Sequence, residues 1–254
     1  MSHTPLLGLV IPTWNAADEL EATLNALRAL PQDLLAPLDI VVADGGSTDR
    51  TLEVLASNAD LVAHVDSQTD RGVYDAMNRG VTRTRAPWIW FMGAGDLPNA
   101  EGLQHAMAQL SSLSPSQALA FCVEALPPVE PGVPHLFSPA WDGSLLWKNT
   151  VHHQGLVAPK SWLVAHPLPM DCRVLGDYAW LLDRRREGAV VACCPDVVLA
   201  KVQPGGLSRA FTASLYMEEW SVKRTRTPWW VLACHTVWLP LKWAFKQMSK
   251  AMAI

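Results

Sequence analysis

The stretches LLGLVIPTWN, at residues 6–15, and DIVVADGGSTD, at residues 39–49, decide the fold class of this chain. In each, a run of apolar residues stops abruptly at small and polar residues, which is typical of a parallel strand buried on both faces. The alternation continues, with strands predicted at residues 61–65 and 88–92 and helices at about 18–30, 49–56 and 73–84. This order predicts an α/β fold, a mostly parallel sheet flanked by helices.

The second half of the chain is less regular. A strand is predicted near residues 118–123, and helices are predicted at about residues 176–186 and 211–226. Residues 189–202 predict a pair of strands broken at Pro195, because proline cannot donate a hydrogen bond to a neighbouring strand.

The composition is that of a folded globular protein. Half of the 254 residues are apolar, 17% are charged and 12 are tryptophan, which excludes disordered and collagen-like chains. The five cysteines are odd in number and show no C-x-x-C spacing, so a reducing, cytoplasmic compartment is expected. The N-terminal apolar run lacks a preceding basic region, and we therefore expect no signal peptide.

The C-terminal residues differ in charge from the rest of the chain. The net charge is −4, yet residues 220–254 hold six basic residues and no acidic one. The basic residues are Lys223, Arg224, Arg226, Lys242, Lys246 and Lys250. This asymmetry argues against a general nucleic-acid binder and indicates an anionic partner for the C-terminus. Residues 1–220 are expected to form one domain, and residues 221–254 an amphipathic helical tail.

The tail also carries an apolar, tryptophan-rich segment. Residues 229–241 are mostly apolar, but 13 residues are too few to span a bilayer. Tryptophans in this segment, with basic residues on both sides, favour a helix lying in the interface of an anionic membrane. These tryptophans are Trp229, Trp230 and Trp238, and Trp243 follows. An ordinary helix that docks on the core with its lysines outside is the alternative.

Three of the predicted strands end in polar and small residues. These ends are PTWN at residues 12–15, DGGSTD at residues 44–49 and GAGD at residues 93–96. Ligands of open α/β sheets lie beyond the carboxyl ends of the strands, so we expect one crevice there. DGGSTD suits the ribose or phosphate of a nucleotide, although the same residues also form ordinary turns. The sequence has neither G-x-G-x-x-G nor a P-loop, which argues against dinucleotide-binding and P-loop enzymes.

Four motifs follow one another in the first 100 residues: PTWN (12–15), VADGGSTDRT (42–51), DRGVYDAMNRG (70–80) and FMGAGD (91–96). In this order they resemble family 2 glycosyltransferases of the GT-A fold, and the YDAMN form is similar to the bacterial subgroup that builds exopolysaccharides and lipid-linked oligosaccharides. The resemblance implies an inverting, metal-dependent transfer of one sugar from a nucleoside-diphosphate sugar, with UDP as the default nucleotide. It assigns residues 1–100 to the donor and residues 101–220 to the acceptor.

The resemblance implies a set of donor-binding residues at the strand ends and on the helix after the third strand. They are Pro12, Thr13, Asn15, Asp44, Gly45, Gly46, Asp70, Arg71, Asn78 and Gly95. In this set Asp44 faces the base or ribose, and Arg71 is placed to reach a phosphate. Asp96 becomes the ligand of Mg²⁺ or Mn²⁺, because such a cation needs only one or two carboxylates plus phosphate oxygens. Gly95 stands where the family usually has a first aspartate.

The resemblance also implies an acceptor side. Asp177 corresponds to the carboxylate that takes the proton of the acceptor hydroxyl, although an aspartate at a helix start is also a common cap. His153 and Gln154 are similar to the family's segment near the acceptor. A flexible loop that closes over the diphosphate corresponds to Gly205, Gly206 and Ser208.

The implied acceptor is a saccharide linked to polyprenyl diphosphate, which places the enzyme in the cytoplasm, peripherally on the inner face of a bacterial plasma membrane. Two alternatives remain. One is a catalytically inactive relative that acts as a membrane assembly factor, which the glycine at position 95 keeps open. The other is a nucleotidyltransferase, which would require basic residues soon after the first strand, and residues 15–24 contain no Lys or Arg.

Overall fold

The computed structural model describes residues 4–129, 134–203 and 212–238. Strands and helices alternate in the first 100 residues. The strands are β1 (Leu7–Thr13), β2 (Leu38–Asp44), β3 (His64–Ser67) and β4 (Trp88–Phe91), and the helices are α1 (Ala17–Arg28), α2 (Gln32–Leu35), α3 (Thr51–Ser57) and α4 (Val73–Arg83). The four strands are parallel, with β1 between β2 and β4. The predicted α/β alternation is therefore confirmed.

Side chains of β1 point alternately into two hydrophobic clusters, one on each face of the sheet. Leu9 and Ile11 pack in the cluster that includes α1, whereas Val10 packs in the cluster that includes α4. All three side chains are fully buried. Helices cover both faces of the strand, which explains why its sequence is continuously apolar.

The third strand begins three residues later than predicted. Leu61 and Val62 lie in a turn after α3, where both amides donate to the carbonyl of Asn58. Val62 is nevertheless buried in the core. These residues are apolar because they pack against the core, and their pattern resembles that of a strand for this reason.

In the described part of the chain between residues 97 and 226, five further strands and four α-helices follow. The strands are β5 (Leu97–Pro98), β6 (Gln117–Ala125), β7 (Leu136–Phe137), β8 (Leu156–Pro159) and β9 (Val190–Val202), and the helices are α5 (Ala100–Leu110), α6 (Lys160–Ala165), α7 (Gly176–Arg186) and α8 (Ala213–Arg226). The strand order is β3-β2-β1-β4-β8-β6-β9-β5, with β7 beside β6. The β4–β8, β8–β6 and β9–β5 pairs are antiparallel. The second half thus completes a mixed sheet around the parallel first half.

The prediction of two strands over residues 189–202 is wrong, because β9 is a single strand that runs parallel to β6. The register with β6 shifts between Cys194 and Val198, around Pro195. At this irregularity the thiol of Cys122 lies 2.9 Å from the Pro195 carbonyl oxygen. Proline is tolerated inside the strand because the ladder is interrupted where its missing N–H would have been required.

Helix α5 was not predicted, although the spacing of its apolar residues is typical of a helix. Leu103, Ala106, Met107 and Leu110 follow helical spacing and are all buried. Asn99 caps the helix, since its side chain accepts a hydrogen bond from the amide of Gly102.

The C-terminal part of the described chain packs on the domain. Helix α8 fits the predicted helix, and it runs through residue 220, where a boundary with the tail was expected. Glu218 of α8 accepts hydrogen bonds from the amides of Val174 and Leu175, just before α7. Residues 229–238 are also helical, and the rest of the predicted tail lies outside the described residues. Within the described ranges, no helix has the length and apolar character needed to cross a membrane.

Candidate active site

The loops that follow β1 and β2 are joined by hydrogen bonds. Thr13 and Asp44 are paired at the ends of the two strands. Beyond them, the amide of Asn15 donates to Ser47 Oγ (2.7 Å), and Asn15 Oδ1 accepts from the amide of Thr48 (2.8 Å). Asn15 has a φ of 47°, in the left-handed region that asparagine tolerates. The predicted Asn15 therefore fixes one strand-end loop against the other.

Asp44 gives the β2 loop its shape. Its carboxylate accepts hydrogen bonds from the amides of Gly46 (3.1 Å) and Ser47 (3.0 Å), from the hydroxyl of Ser67 (2.6 Å) and from the hydroxyl of Ser47. The side chain is fully buried. It has no exposed surface for a base or ribose in this loop conformation, so a direct donor contact by Asp44 stays a prediction.

A crevice of about 360 Å³ opens between the end of β1 and the start of α4, and we call it the first crevice. Its wall consists of Pro12, Thr13, Trp14, Asp70, Gly72, Val73, Ala76 and Arg173. Three predicted donor residues, Pro12, Thr13 and Asp70, are therefore brought together. The Trp14 side chain is 66% exposed, which is unusual for a large aromatic residue beside a buried strand.

Gly45 allows a close approach at the edge of this crevice. A Cβ atom at position 45 would lie 2.7 Å from Asp70 Oδ2 and 3.3 Å from Trp14 Cδ1. A side chain at this position would push away the carboxylate that lines the crevice. The glycine is therefore explained by packing of Asp70 against the β2 loop.

Two predicted donor residues on or beside α4 lie elsewhere. Arg71 lines a neighbouring crevice of about 290 Å³, which we call the second crevice, and its side chain is 72% exposed. The amide group of Asn78 exchanges two 2.9 Å hydrogen bonds with the backbone of Leu168. Asn78 is in the wall of neither crevice, and its side chain fastens the segment before α7 to α4, so its donor contact stays a prediction.

Asp96 lies beyond the carboxyl end of β4 and is nearly buried. Its Oδ2 accepts hydrogen bonds from the amide of Gly93 (2.8 Å) and from Gln154 Nε2 (3.2 Å), and its Oδ1 accepts from the amide of Gln203 (3.3 Å). Burial raises the pKa of Asp96 in spite of these hydrogen bonds, because the ionised carboxylate has lost its hydration. A bound cation would offset that loss.

Gly95 adopts a backbone conformation that suits glycine. Its φ is 94°, and a Cβ atom there would lie 3.0 Å from Gln203 Cγ. The Gly95 amide donates to Thr23 Oγ1 (2.8 Å), and this hydroxyl donates to the carbonyl of Asp96 (2.9 Å). Gly95, which stands where the family usually has an aspartate, therefore suits the backbone conformation of this loop.

We expect Gly95→Ala to lower the free energy of unfolding by about 1–3 kcal/mol, because the substitution places a Cβ atom at a positive φ. Urea unfolding monitored by circular dichroism measures the change. Gly143→Ala is the control, since a Cβ atom at Gly143 meets no atom within 4 Å. Equal stability of Gly95→Ala and the wild type would contradict the strain assigned to this loop.

Asp177 lies in the first turn of α7, and its side chain is 14% exposed. Oδ1 accepts a hydrogen bond from the amide of Tyr178 (2.7 Å) and lies 3.3 Å from the hydroxyl of Tyr74. Oδ2 lies 3.3 Å from both Asn149 Nδ2 and His153 Nδ1. Burial pushes the pKa of Asp177 upward, but the hydrogen bonds from His153 and the Tyr178 amide, together with the charges of His153 and His152, outweigh it, so the pKa lies below its usual value.

Two consecutive residues connect the two carboxylates. His153 and Gln154 belong to the short 3-10 helix His153–Gly155, which immediately precedes β8. His153 contacts Asp177, and Gln154 donates to Asp96. The end of β4 and the start of α7 are thereby held at one site, which the sequence motifs alone did not establish.

The groups around Asp96 suit a hard divalent cation. Gln154 Oε1 is buried and finds no hydrogen-bond partner among the described residues, while Nε2 of the same side chain contacts the Asp96 carboxylate. Mg²⁺ and Mn²⁺ accept such oxygen ligands and take the rest from substrate phosphates. Within the described ranges, no group of three His, Cys, Asp or Glu side chains could hold a metal ion. The residues present therefore fit a cation that is shared with the substrate.

Sequence reasoning missed three residues that the structure places at the site. Trp14 carried a signal, because it is an aromatic residue within the polar PTWN end of β1. Nothing in the sequence indicated Arg173 of the first crevice or Asn149 beside Asp177, since neither residue belongs to a motif. Residues 205, 206 and 208, predicted to close over the diphosphate, lie outside the described residues.

Comparisons of the sequence with known proteins show its family. The family model of Glycosyl transferase family 2 matches residues 9–149. The PGL/p-HBAD biosynthesis glycosyltransferase of Mycobacterium bovis is 30% identical over 227 residues, which cover 84% of this chain and 83% of that protein. The validoxylamine A glucosyltransferase of Streptomyces hygroscopicus subsp. jinggangensis is 35% identical over 133 residues, which cover 51% of this chain and 31% of that protein.

Solved structures share the fold. S. aureus TarS in complex with UDP-GlcNAc matches 85% of this chain and 65% of that chain, with a TM-score of 0.68 and 16% identity. The chain thus spans slightly less than two thirds of that structure. The mannosyltransferase PcManGT from Pyrobaculum calidifontis, in complex with GDP-Man and Mn²⁺, matches 99% of this chain and 76% of that chain, with a TM-score of 0.60 and 18% identity. The chain belongs to glycosyl transferase family 2 and has the GT-A fold.

Proposed function

We propose that this protein is an inverting, divalent-metal-dependent glycosyltransferase that moves one sugar from a UDP-sugar to a saccharide linked to polyprenyl diphosphate. The observation that carries the proposal is the contact of two consecutive residues with two carboxylates. His153 contacts Asp177 and Gln154 contacts Asp96. Under this proposal, proton acceptance at Asp177 and departure of the diphosphate at Asp96 take place at one site, as a single displacement requires.

The proposed chemistry separates the roles of the two carboxylates. Asp177 takes the proton of the acceptor hydroxyl while that oxygen attacks the anomeric carbon and the bond to the diphosphate breaks. Inversion follows, because attack and departure occur on opposite sides of the carbon. His153 keeps Asp177 ionised and oriented. Asp96 would hold the cation, which would neutralise the charge on the leaving diphosphate.

The first crevice is the proposed site of the donor nucleotide. The exposed ring of Trp14 offers a stacking surface for the base, and Asp70 lies beside it. Arg173 lines the same crevice and offers a guanidinium group for the diphosphate, a role expected from sequence for Arg71. UDP is favoured since TarS, of the same fold, is known in complex with UDP-GlcNAc.

Titration calorimetry with UDP, GDP, dTDP and CMP, each with and without Mn²⁺, tests the proposal. We expect UDP to bind, and to bind more tightly when Mn²⁺ is present. Incubation with UDP-sugars should then release UDP, detected by chromatography. A chain that binds none of the four nucleotides would instead be the catalytically inactive relative considered above.

Trp14→Ala is expected to weaken UDP binding about tenfold, because stacking of a base on an aromatic ring contributes about 1–3 kcal/mol. The ring is largely exposed, so the fold should tolerate its removal. The same calorimetric titration measures the effect, and Trp14→Tyr, which keeps a stacking surface, is the control. Unchanged affinity in the alanine variant would show that the base binds elsewhere.

The acceptor proposal places the C-terminal region at an anionic membrane surface, on the cytoplasmic side. In the described helix of residues 229–238, Val231 is buried, whereas Trp229 and Trp238 are exposed by 80% and 58%. Trp230 packs against Trp147, with 6.0 Å between ring centroids. Exposed tryptophans next to a basic segment suit the interface of anionic lipids.

The double variant Trp229→Ser/Trp238→Ser should reduce partitioning onto vesicles that contain phosphatidylglycerol by at least tenfold, because two interfacial anchors are lost. Co-sedimentation with the vesicles measures the partitioning. Leu52→Ser removes an exposed apolar residue from α3 and serves as the control. If the double variant sediments with the vesicles as the wild type does, the helix at residues 229–238 is not the contact.

A further inference from the structure

The second crevice lies directly beside the first, and the two share Gly72 and Arg173 as walls. It has a volume of about 290 Å³ and is built by the start of α4 and by residues 170–173. A ligand in one crevice would therefore lie against a ligand in the other. Two substrates that exchange a group need such an arrangement.

The charged groups that line the second crevice balance one another. Two arginines, Arg71 and Arg173, and two aspartates, Asp75 and Asp171, line it. The Arg71 Nε lies 3.4 Å from the Asp75 carboxylate, and its Nη2 lies 3.3 Å from Met170 Sδ. A lining with no net charge does not favour a polyanion such as a diphosphate. It offers donors and acceptors side by side, as vicinal hydroxyl groups require, together with apolar surface from Met170.

One side chain, Tyr74, links the wall of the second crevice to the proposed base. The ring of Tyr74 lines the crevice. Its hydroxyl donates to the carbonyl of Val174 (2.6 Å) and lies 3.3 Å from Asp177 Oδ1. A ligand in this crevice would therefore lie against a side chain that contacts Asp177.

We infer that the second crevice is the acceptor subsite and binds a neutral sugar unit of the acceptor. The inference rests on the proposed function, since it takes Asp177 as the base and the first crevice as the donor site. It assigns Arg71 and Asp171 to recognition of acceptor hydroxyls, and it moves Arg71 from the donor to the acceptor side.

Saturation-transfer NMR with octyl glycosides of glucose, galactose, mannose and rhamnose tests this subsite in the full chain, with UDP present at saturation. We expect at least one glycoside to bind together with UDP. Arg71→Ala and Asp171→Ala should each weaken that binding at least fivefold and leave UDP affinity within twofold. Both side chains are exposed, so the variants should fold. Asp33→Ala, on the exposed side of α2, is the control for loss of a surface carboxylate.

The outcomes separate this inference from the proposed function. Displacement of the glycoside by UDP, unchanged glycoside binding in both variants, or no glycoside binding while UDP binds would each overturn the acceptor subsite. A parallel loss of UDP affinity in both variants would assign the second crevice to the donor and overturn it as well. Failure of the wild type to bind any nucleotide would instead overturn the proposed function.

Discussion

Asp177→Asn should lower kcat by about 10²–10⁴-fold while UDP and Mn²⁺ bind as in the wild type, because a positioned general base contributes about this factor. The asparagine keeps an oxygen that can accept the hydrogen bond from the Tyr178 amide. It has no basic oxygen to take the acceptor proton. The fold and the donor site should therefore survive, and only the transfer step should fail. Initial rates of UDP release in the presence of acceptor measure the loss.

The pH dependence follows from the direction of the Asp177 pKa. The base must be ionised, and contacts with His153 hold its pKa below the usual value of about 3.9 for an aspartate. Activity limited by this group should remain constant as the pH falls to about 5. His153→Gln removes the largest lowering influence, so the pH below which kcat/KM declines should rise.

Asp33→Asn is the matched control for Asp177→Asn, since it makes the same chemical change on an exposed part of α2. Its rate should equal that of the wild type. Near-normal turnover of Asp177→Asn would show that Asp177 only caps α7. A different group would then have to take the proton.

The sequence alone predicted the parallel half of the fold well, and the physical reason is local. Strands β1 and β2 are buried on both faces, so their sequences are continuously apolar, and each apolar run ends where the chain leaves the sheet. In the second half, the pairing of β9 with β6 joins residues more than 70 positions apart. Hydrophobic periodicity carries no information on such a pairing, and the sequence pattern therefore wrongly predicts that a strand ends at Pro195.

The candidate site was predicted as a set of residue types and not as a set of contacts. The order of the motifs predicted Asp96 and Asp177. Their contacts are distant in sequence, since His153 lies 24 residues from Asp177 and Gln154 lies 58 residues from Asp96. Asn78 illustrates the same limit. Its position on α4 was foreseeable, but its partner, the Leu168 backbone, lies 90 residues away and turns the side chain from the crevice. Tertiary partners decide which side chains of a motif face the ligand.

Asp96→Asn should abolish the Mn²⁺-dependent part of UDP binding, and transfer should fall by at least about 10²-fold, because the proposed cation loses its carboxylate ligand. UDP binding without metal should remain, since the crevice lined by Trp14 and Asp70 does not include Asp96 in its wall. Calorimetric titration of UDP with and without Mn²⁺ measures both quantities. Asp33→Asn again controls for the change from carboxylate to amide.

Protein stability offers a second readout for Asp96 that does not depend on turnover. Burial raises the pKa of Asp96, so its contribution to stability is present at low pH and is lost as the pH rises through that pKa. A cation bound to the ionised form restores it. We therefore expect Mn²⁺ to raise the Tm of the wild type increasingly as the pH rises, and to leave the Tm of Asp96→Asn unchanged. An equal Mn²⁺-induced rise in Tm in both proteins would place the cation away from Asp96. It would also contradict the proposal that Gln154 lies beside the cation.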